Sequence, residues 1–177
     1  MTQTSINKIQ VGLKKYQYLR QRLFAVNVSA DREFQRAFNG FFRMGRRSEL
    51  FYTDFYRYLE QHKISGVSFS DALTFLYEKH GRLEMSFVSK MVALVDPSYP
   101  IWDSIVTKGH FGIVAPYASE KDRLQKGIAK YEMYCRQYYT YLETESAKKQ
   151  LALFETMFPN TDLSEVKKLD FMLWQDR

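Results

Sequence analysis

The stretch covering residues 76–106 reads Leu76-Tyr-Glu-Lys-His-Gly81-Arg-Leu-Glu-Met85-Ser-Phe-Val-Ser-Lys90-Met-Val-Ala-Leu-Val95-Asp-Pro-Ser-Tyr-Pro100-Ile-Trp-Asp-Ser-Ile-Val106. Its punctuation decides the fold. Gly81 follows an apolar helical pattern and stops it, because glycine accepts the left-handed backbone that closes a helix. Met85 to Val95 then predicts a second helix. Asp96-Pro97-Ser98-Tyr99-Pro100 is a rigid turn, since proline fixes φ and disfavours helix in the residue before it. Asp103 opens a short third helix reaching to about Lys108.

The same grammar extends in both directions. Upstream, Ile9, Leu13, Tyr16, Arg20 and Leu23 recur at helical spacing, with only Arg20 polar, and predict a helix over residues 4–25 capped by Thr4 or Ser5. Ser29 opens a helix with Phe34, Phe38, Phe41 and Phe42 on one stripe, stopped by Gly45. Ser48 caps the next, with Phe51, Phe55, Tyr58 and Leu59 inward. Ser68 opens the one that Gly81 ends. Downstream, Gly109, Gly112 and Pro116 interrupt the pattern. A long run from Glu120 to Phe158 follows, with a break near residues 143–146. Pro159-Asn160 stops it, and Asp162 or Ser164 caps a final helix through Trp174. Residues 64–69 and 112–115 are too short to form a sheet. The fold class is all-α: about eight helices around a Phe/Tyr-rich core, in a single domain or two lobes sharing a cleft near residues 81–103.

Composition narrows the functional classes. The chain has 177 residues, 45% of them hydrophobic and 26% charged, which excludes disordered and low-complexity classes. A single cysteine, Cys135, excludes an internal disulfide and any Cys-based metal site, and inside a helical run it reads as a small buried residue. No apolar run suffices for a membrane span, and the first 25 residues lack an apolar leader core, so a cytoplasmic protein with no membrane partner is expected. The three histidines, His62, His80 and His110, fall in no nucleophile or metal spacing, and neither glycine-rich nucleotide loop occurs. No metal and no cofactor is expected.

Charge is lopsided. Residues 1–60 hold 11 Lys/Arg against 5 Asp/Glu, while the remaining 117 hold 15 of each, so the whole formal charge of +6 lies in the N-terminal third. Eight of those eleven cations are arginine, which forks phosphate well. Such one-sided basicity suits a polyanion partner, though a solvated helix face would carry the same charge.

The order helix, short connection, helix, Pro-bearing turn, Asp-opened helix resembles the helix-hairpin-helix base-excision DNA glycosylase superfamily. Pro100-Ile101-Trp102-Asp103-Ser104-Ile105-Val106 resembles the stretch that carries the superfamily's catalytic aspartate, and Lys168-Leu169-Asp170-Phe171-Met172-Leu173-Trp174 resembles a helix near the end of several members. The likeness covers some 40 residues well. It implies that Asp103 is the catalytic carboxylate, stabilising the positive charge that builds on the sugar as an N-glycosidic bond breaks. An ordinary N-cap aspartate would share that local geometry. A flipped base would stack on Trp102 or Tyr99, or on the Tyr52/Tyr56 pair if these are not core. DNA phosphate would meet the Gly81 connection with Lys79 and Arg82, and the cluster Arg43, Arg46 and Arg47.

The chain also departs from the superfamily pattern. The hairpin has one glycine where members have several. Met85 and Ser86 stand near the place of the lyase lysine, and Lys90 comes a turn later, on another face by periodicity. The resemblance therefore implies a monofunctional glycosylase without lyase activity. A catalytically inactive nucleic-acid-binding scaffold, or a helical protein-interaction domain, are the alternatives.

Overall fold

A computed structural model describes residues 2–174, and within them the chain forms nine helices and no strand. They are α1 (Gln3–Ala25), α2 (Arg32–Phe41), α3 (Glu49–His62), α4 (Phe69–His80), α5 (Met85–Val95), α6 (Ser104–Gly109), α7 (Arg123–Leu142), α8 (Glu145–Met157) and α9 (Glu165–Leu173). The ninth arises because the long C-terminal run does break, at Glu143-Thr144, where the Thr144 hydroxyl caps α8 by accepting from the Ala147 N–H.

Most starts are set by side-chain caps that satisfy the orphan amides of a first turn. Ser48, Ser68, Asp103 and Ser164 each accept from an amide of the helix they precede. The start of α2 differs from the sequence expectation. Asp31, not Ser29, caps it, with Oδ1 2.7 Å from the Phe34 amide, while the Ser29 hydroxyl is spent on Asn27. Its end differs too. The Met44 amide returns to the Asn39 carbonyl and the Arg43 amide to the Gly40 carbonyl, a Schellman closure that puts Arg43 in the left-handed region at φ 49°. Gly45 would be the cheaper residue for that conformation, but it lies two positions too late, because Phe42 must first be buried at 3% exposure. An arginine there costs about 1 kcal/mol or more.

One apolar cluster spans all the helices, and α5 runs through its middle with nine of its eleven residues buried. α5 packs against α1 and α4, α1 against α2 and α9, and α7 against α4. The absence of a side chain at Gly12 brings α1 close to α9: a Cβ there would stand 3.0 Å from the Phe171 ring. No helix among the described residues is long and apolar enough to cross a membrane.

Candidate functional site

The Pro-bearing turn is latched from several sides by side chains bonded to its backbone. The Tyr131 hydroxyl donates to the Pro100 carbonyl at 2.9 Å and the Tyr134 hydroxyl to the Ile101 carbonyl at 3.1 Å. Ser89 Oγ accepts the Trp102 amide at 2.9 Å. Ser164 and Tyr139 donate to the carbonyls of Pro97 and Ser98. Asp170, inside the C-terminal motif, accepts from the Ile101 amide. Its carboxylate is held in turn by Lys167 Nζ and the Tyr138 hydroxyl, each at 2.9 Å. Burial pushes the Asp170 carboxyl above the ordinary carboxylate range, against the pull of Lys167 and the other donors. Loops are normally the mobile part of a fold; here α5, α7 and α9 fix a loop that ends at Asp103.

Asp103 is half-buried and caps α6, with Oδ1 2.9 Å from the Ile105 amide. It also lines a cleft of about 780 Å³. One wall comes from α1 (Lys8, Val11, Gly12, Lys15), another from the end of α2 (Gly40 to Arg43), and the floor from Phe171 and Trp174. A cap and a cleft residue are thus the same side chain. Holding one oxygen on a backbone amide sets the direction of the other.

Lys90 opens onto this cleft as well, which corrects the expectation that it faces elsewhere. It emerges from the middle of α5, is 8% exposed, and lies 5.6 Å from the Phe87 ring. Burial lowers its pKa to about 8, against the opposing pull of Asp103 and Glu84. The signal available in the sequence was Ser89-Lys90 within an otherwise apolar helix: a lysine on a helix buried all round must emerge into a cavity or find a partner. Trp174 also lines the cleft, while its Nε1 is buried and meets no acceptor among the described residues.

The other expected site residues are dispersed. Trp102 is 4% exposed and packs edge-on against Tyr134 at 5.6 Å, so it belongs to the core and cannot wall a base pocket from there. Tyr99 is exposed on the turn and is not among the residues lining the cleft. Tyr52 bonds the Gly45 carbonyl, and Tyr56 is buried on Gln35 and Asn39, a core and rim pair. The aromatic surface of the cleft comes instead from Phe41, Phe42, Phe171 and Trp174.

Gly81 does close α4 in the left-handed region, at φ 64°. Its connection is not on the cleft, and its cations are engaged inside the molecule. Lys79 and His80 both reach the buried Asp54, at 3.0 and 3.2 Å. Arg47 forks the buried Glu84 at 2.7 and 2.9 Å, and Arg82 meets the same carboxylate at 3.0 Å. The cluster of Arg43, Arg46 and Arg47 is therefore split: Arg43 lines the cleft, Arg46 is exposed, and Arg47 is internally paired. Lys8 and Lys15, which sequence reasoning did not single out, take the cleft position instead; both project from one face of α1, seven residues apart. Set beside known protein families, curated proteins and solved structures, the chain matches none.

Proposed function

We propose that the chain cleaves an N-glycosidic bond of a modified base in DNA, with Asp103 as the carboxylate that stabilises the sugar cation and orients the attacking water. The observation that carries this reading is the cleft: an oriented acid and a buried amine open onto one aromatic-floored cavity whose rim is cationic. A flipped nucleoside needs an apolar stacking surface, and Phe41 and Trp174 offer one. Lys8, Lys15 and Arg43 stand at the rim for the flanking phosphates.

Lys90 favours a second form of the same reading. With a pKa of about 8, about a tenth of it is unprotonated at pH 7. A neutral amine on the same cleft as Asp103 can attack C1′, the base leaving with the bond electrons and Asp103 taking up the amine proton; the sugar C1′–O4′ bond then opens, O4′ taking up a proton as the C1′=N imine forms, a covalent adduct that borohydride reduces. Excision from duplexes carrying alkylated, oxidised or deaminated bases tests the enzyme reading, with alkali to reveal abasic sites. Borohydride added during turnover separates the two forms. A trapped adduct that Lys90→Met abolishes supports the amine route. Excision without trapping supports water. No abasic site on any substrate removes both.

A further inference from the structure

We propose that the groove between α1 and α2 is the track of an unpaired nucleic-acid strand leading into the Asp103 cleft, with Phe41 at the junction as the stacking platform. The proposal rests on the nucleic-acid reading above for the class of ligand and on separate residues for its argument. A second cavity of about 400 Å³ lies beside the cleft, lined by Lys14, Tyr18, Arg36 and Ala37. It shares Lys15, Gly40 and Phe41 with the cleft, so the two are one continuous depression pinched at Phe41.

Its charge is uncompensated. α1 contains no acidic residue, and among the described residues the only acid lining either cavity is Asp103. Lys8, Lys14, Lys15, Arg36 and Arg43 are exposed, and among the described residues none of them meets a carboxylate. The contrast with the Gly81 connection is direct: Lys79, Arg82 and Arg47 are each held by Asp54 or Glu84. Glu33, at the start of α2, is engaged by the Tyr18 hydroxyl at 2.6 Å and by Arg22. Five unpaired cations along two helices attract a polyanion and impose no short-range pairing of their own.

Spacing and the aromatic junction select the occupant. Lys8 and Lys15 are two helical turns apart, about 10 Å along α1, too far to share one phosphate and within reach of separate phosphates of an extended strand. A platform between phosphate contacts is how unpaired strands are held without sequence preference, since every base has a stacking face. A paired base presents only its edge to a protein, so Phe41 selects for a strand over a duplex.

The test is fluorescence anisotropy with a labelled twelve-nucleotide DNA strand without any lesion, across a salt series. Lys14→Gln with Arg36→Gln should weaken binding at least tenfold at low salt and reduce the slope of log K against log salt by about 1.4, from about 0.7 per phosphate contact on a single strand. Gly40→Leu supplies an independent variant, because a Cβ at Gly40 meets nothing within 4 Å and the side chain plugs the junction without disturbing the fold; it should also weaken binding. Lys79→Gln with Arg82→Gln should leave affinity and slope unchanged. Unaltered affinity and slope in the Lys14/Arg36 variant, or tighter binding of the matching duplex than of the strand, overturns the proposal. Running the excision assay on the same proteins keeps the two readings apart. Excision that survives in the Lys14/Arg36 variant alongside unchanged binding sinks the track and leaves the enzyme. Strand binding lost in that variant, with no excision by the wild type, sinks the enzyme and leaves the track.

Discussion

Replacing Lys90 by methionine should make the protein more stable. Lys90 is 8% exposed, and its pKa falls from the ordinary 10.5 to about 8 because burial disfavours the ammonium more than Asp103 and Glu84 favour it. A lysine whose folded pKa is depressed opposes folding wherever it is protonated in both states. That cost is complete below pH 8 and fades as the pH rises to 10.5, where the unfolded lysine also loses its proton. A depression of this size corresponds to about 3 kcal/mol at pH 7. Methionine has similar length and no charge, so the variant keeps the packing and sheds the cost. For a chain of this length that is a rise in Tm of about 6–12 °C. Urea unfolding of both proteins from pH 7 to 10.5 is the assay. The two should differ most at pH 7 and converge near pH 10.5. Equal stability at pH 7, or parallel profiles across the range, would refute the claim that this amine is held unpaired at an energetic cost.

Asp170→Asn should leave the Lys167 ammonium, 2% exposed, without its counter-charge and destabilise the fold by about 3–5 kcal/mol, read as a lower urea midpoint. Tyr134→Phe removes one of the two donors to the buried Ile101 carbonyl, which keeps the Asp103 amide, and should cost about 0.5–1.5 kcal/mol. The same change should lower any activity of Asp103 more than it lowers affinity for DNA, because the turn that aims the acid loses a latch. Burial pushes the Cys135 thiol up to about 12, so it should resist a thiol reagent at pH 8 in the native state and react on unfolding; fast native reaction would place it at the surface.

Much of the fold was legible because helical grammar is local. Ser48, Ser68, Ser164 and Gly81 mark ends in the sequence and do so in three dimensions. The end of α2 was not legible. The need to bury Phe42 moves the left-handed position onto Arg43, a tertiary demand that overrides the preference for Gly45. Asp103 was legible at its helix start, and its position on a cavity was not, since a cap and a cleft residue have the same local sequence. Trp102 misled because an aromatic beside a candidate acid reads the same whether it faces a pocket or the core; Tyr134, 32 positions away, decides it. The charge of Lys79, Arg82 and Arg47 was visible, but its pairing with Asp54 and Glu84 depends on how distant segments pack. Lys8, Lys15 and Lys90 were plain in the sequence as residues; only the packing of α1 and α5 around one hollow makes them a site.

The central claim is that the Asp103 carboxylate, aimed into the cleft, performs the chemistry. The most direct measurement is the single-turnover rate of base release from the best DNA substrate, duplex or single strand, compared between the wild-type protein and Asp103→Asn at matched saturation. Asparagine preserves the cap on the Ile105 amide and removes only the charge. The expected result is a loss of at least about a hundredfold, the scale of removing one electrostatic group that stabilises a transition state, with DNA affinity and Tm little changed. Equal rates in the two proteins would contradict it and leave Asp103 as the cap of α6 and nothing more.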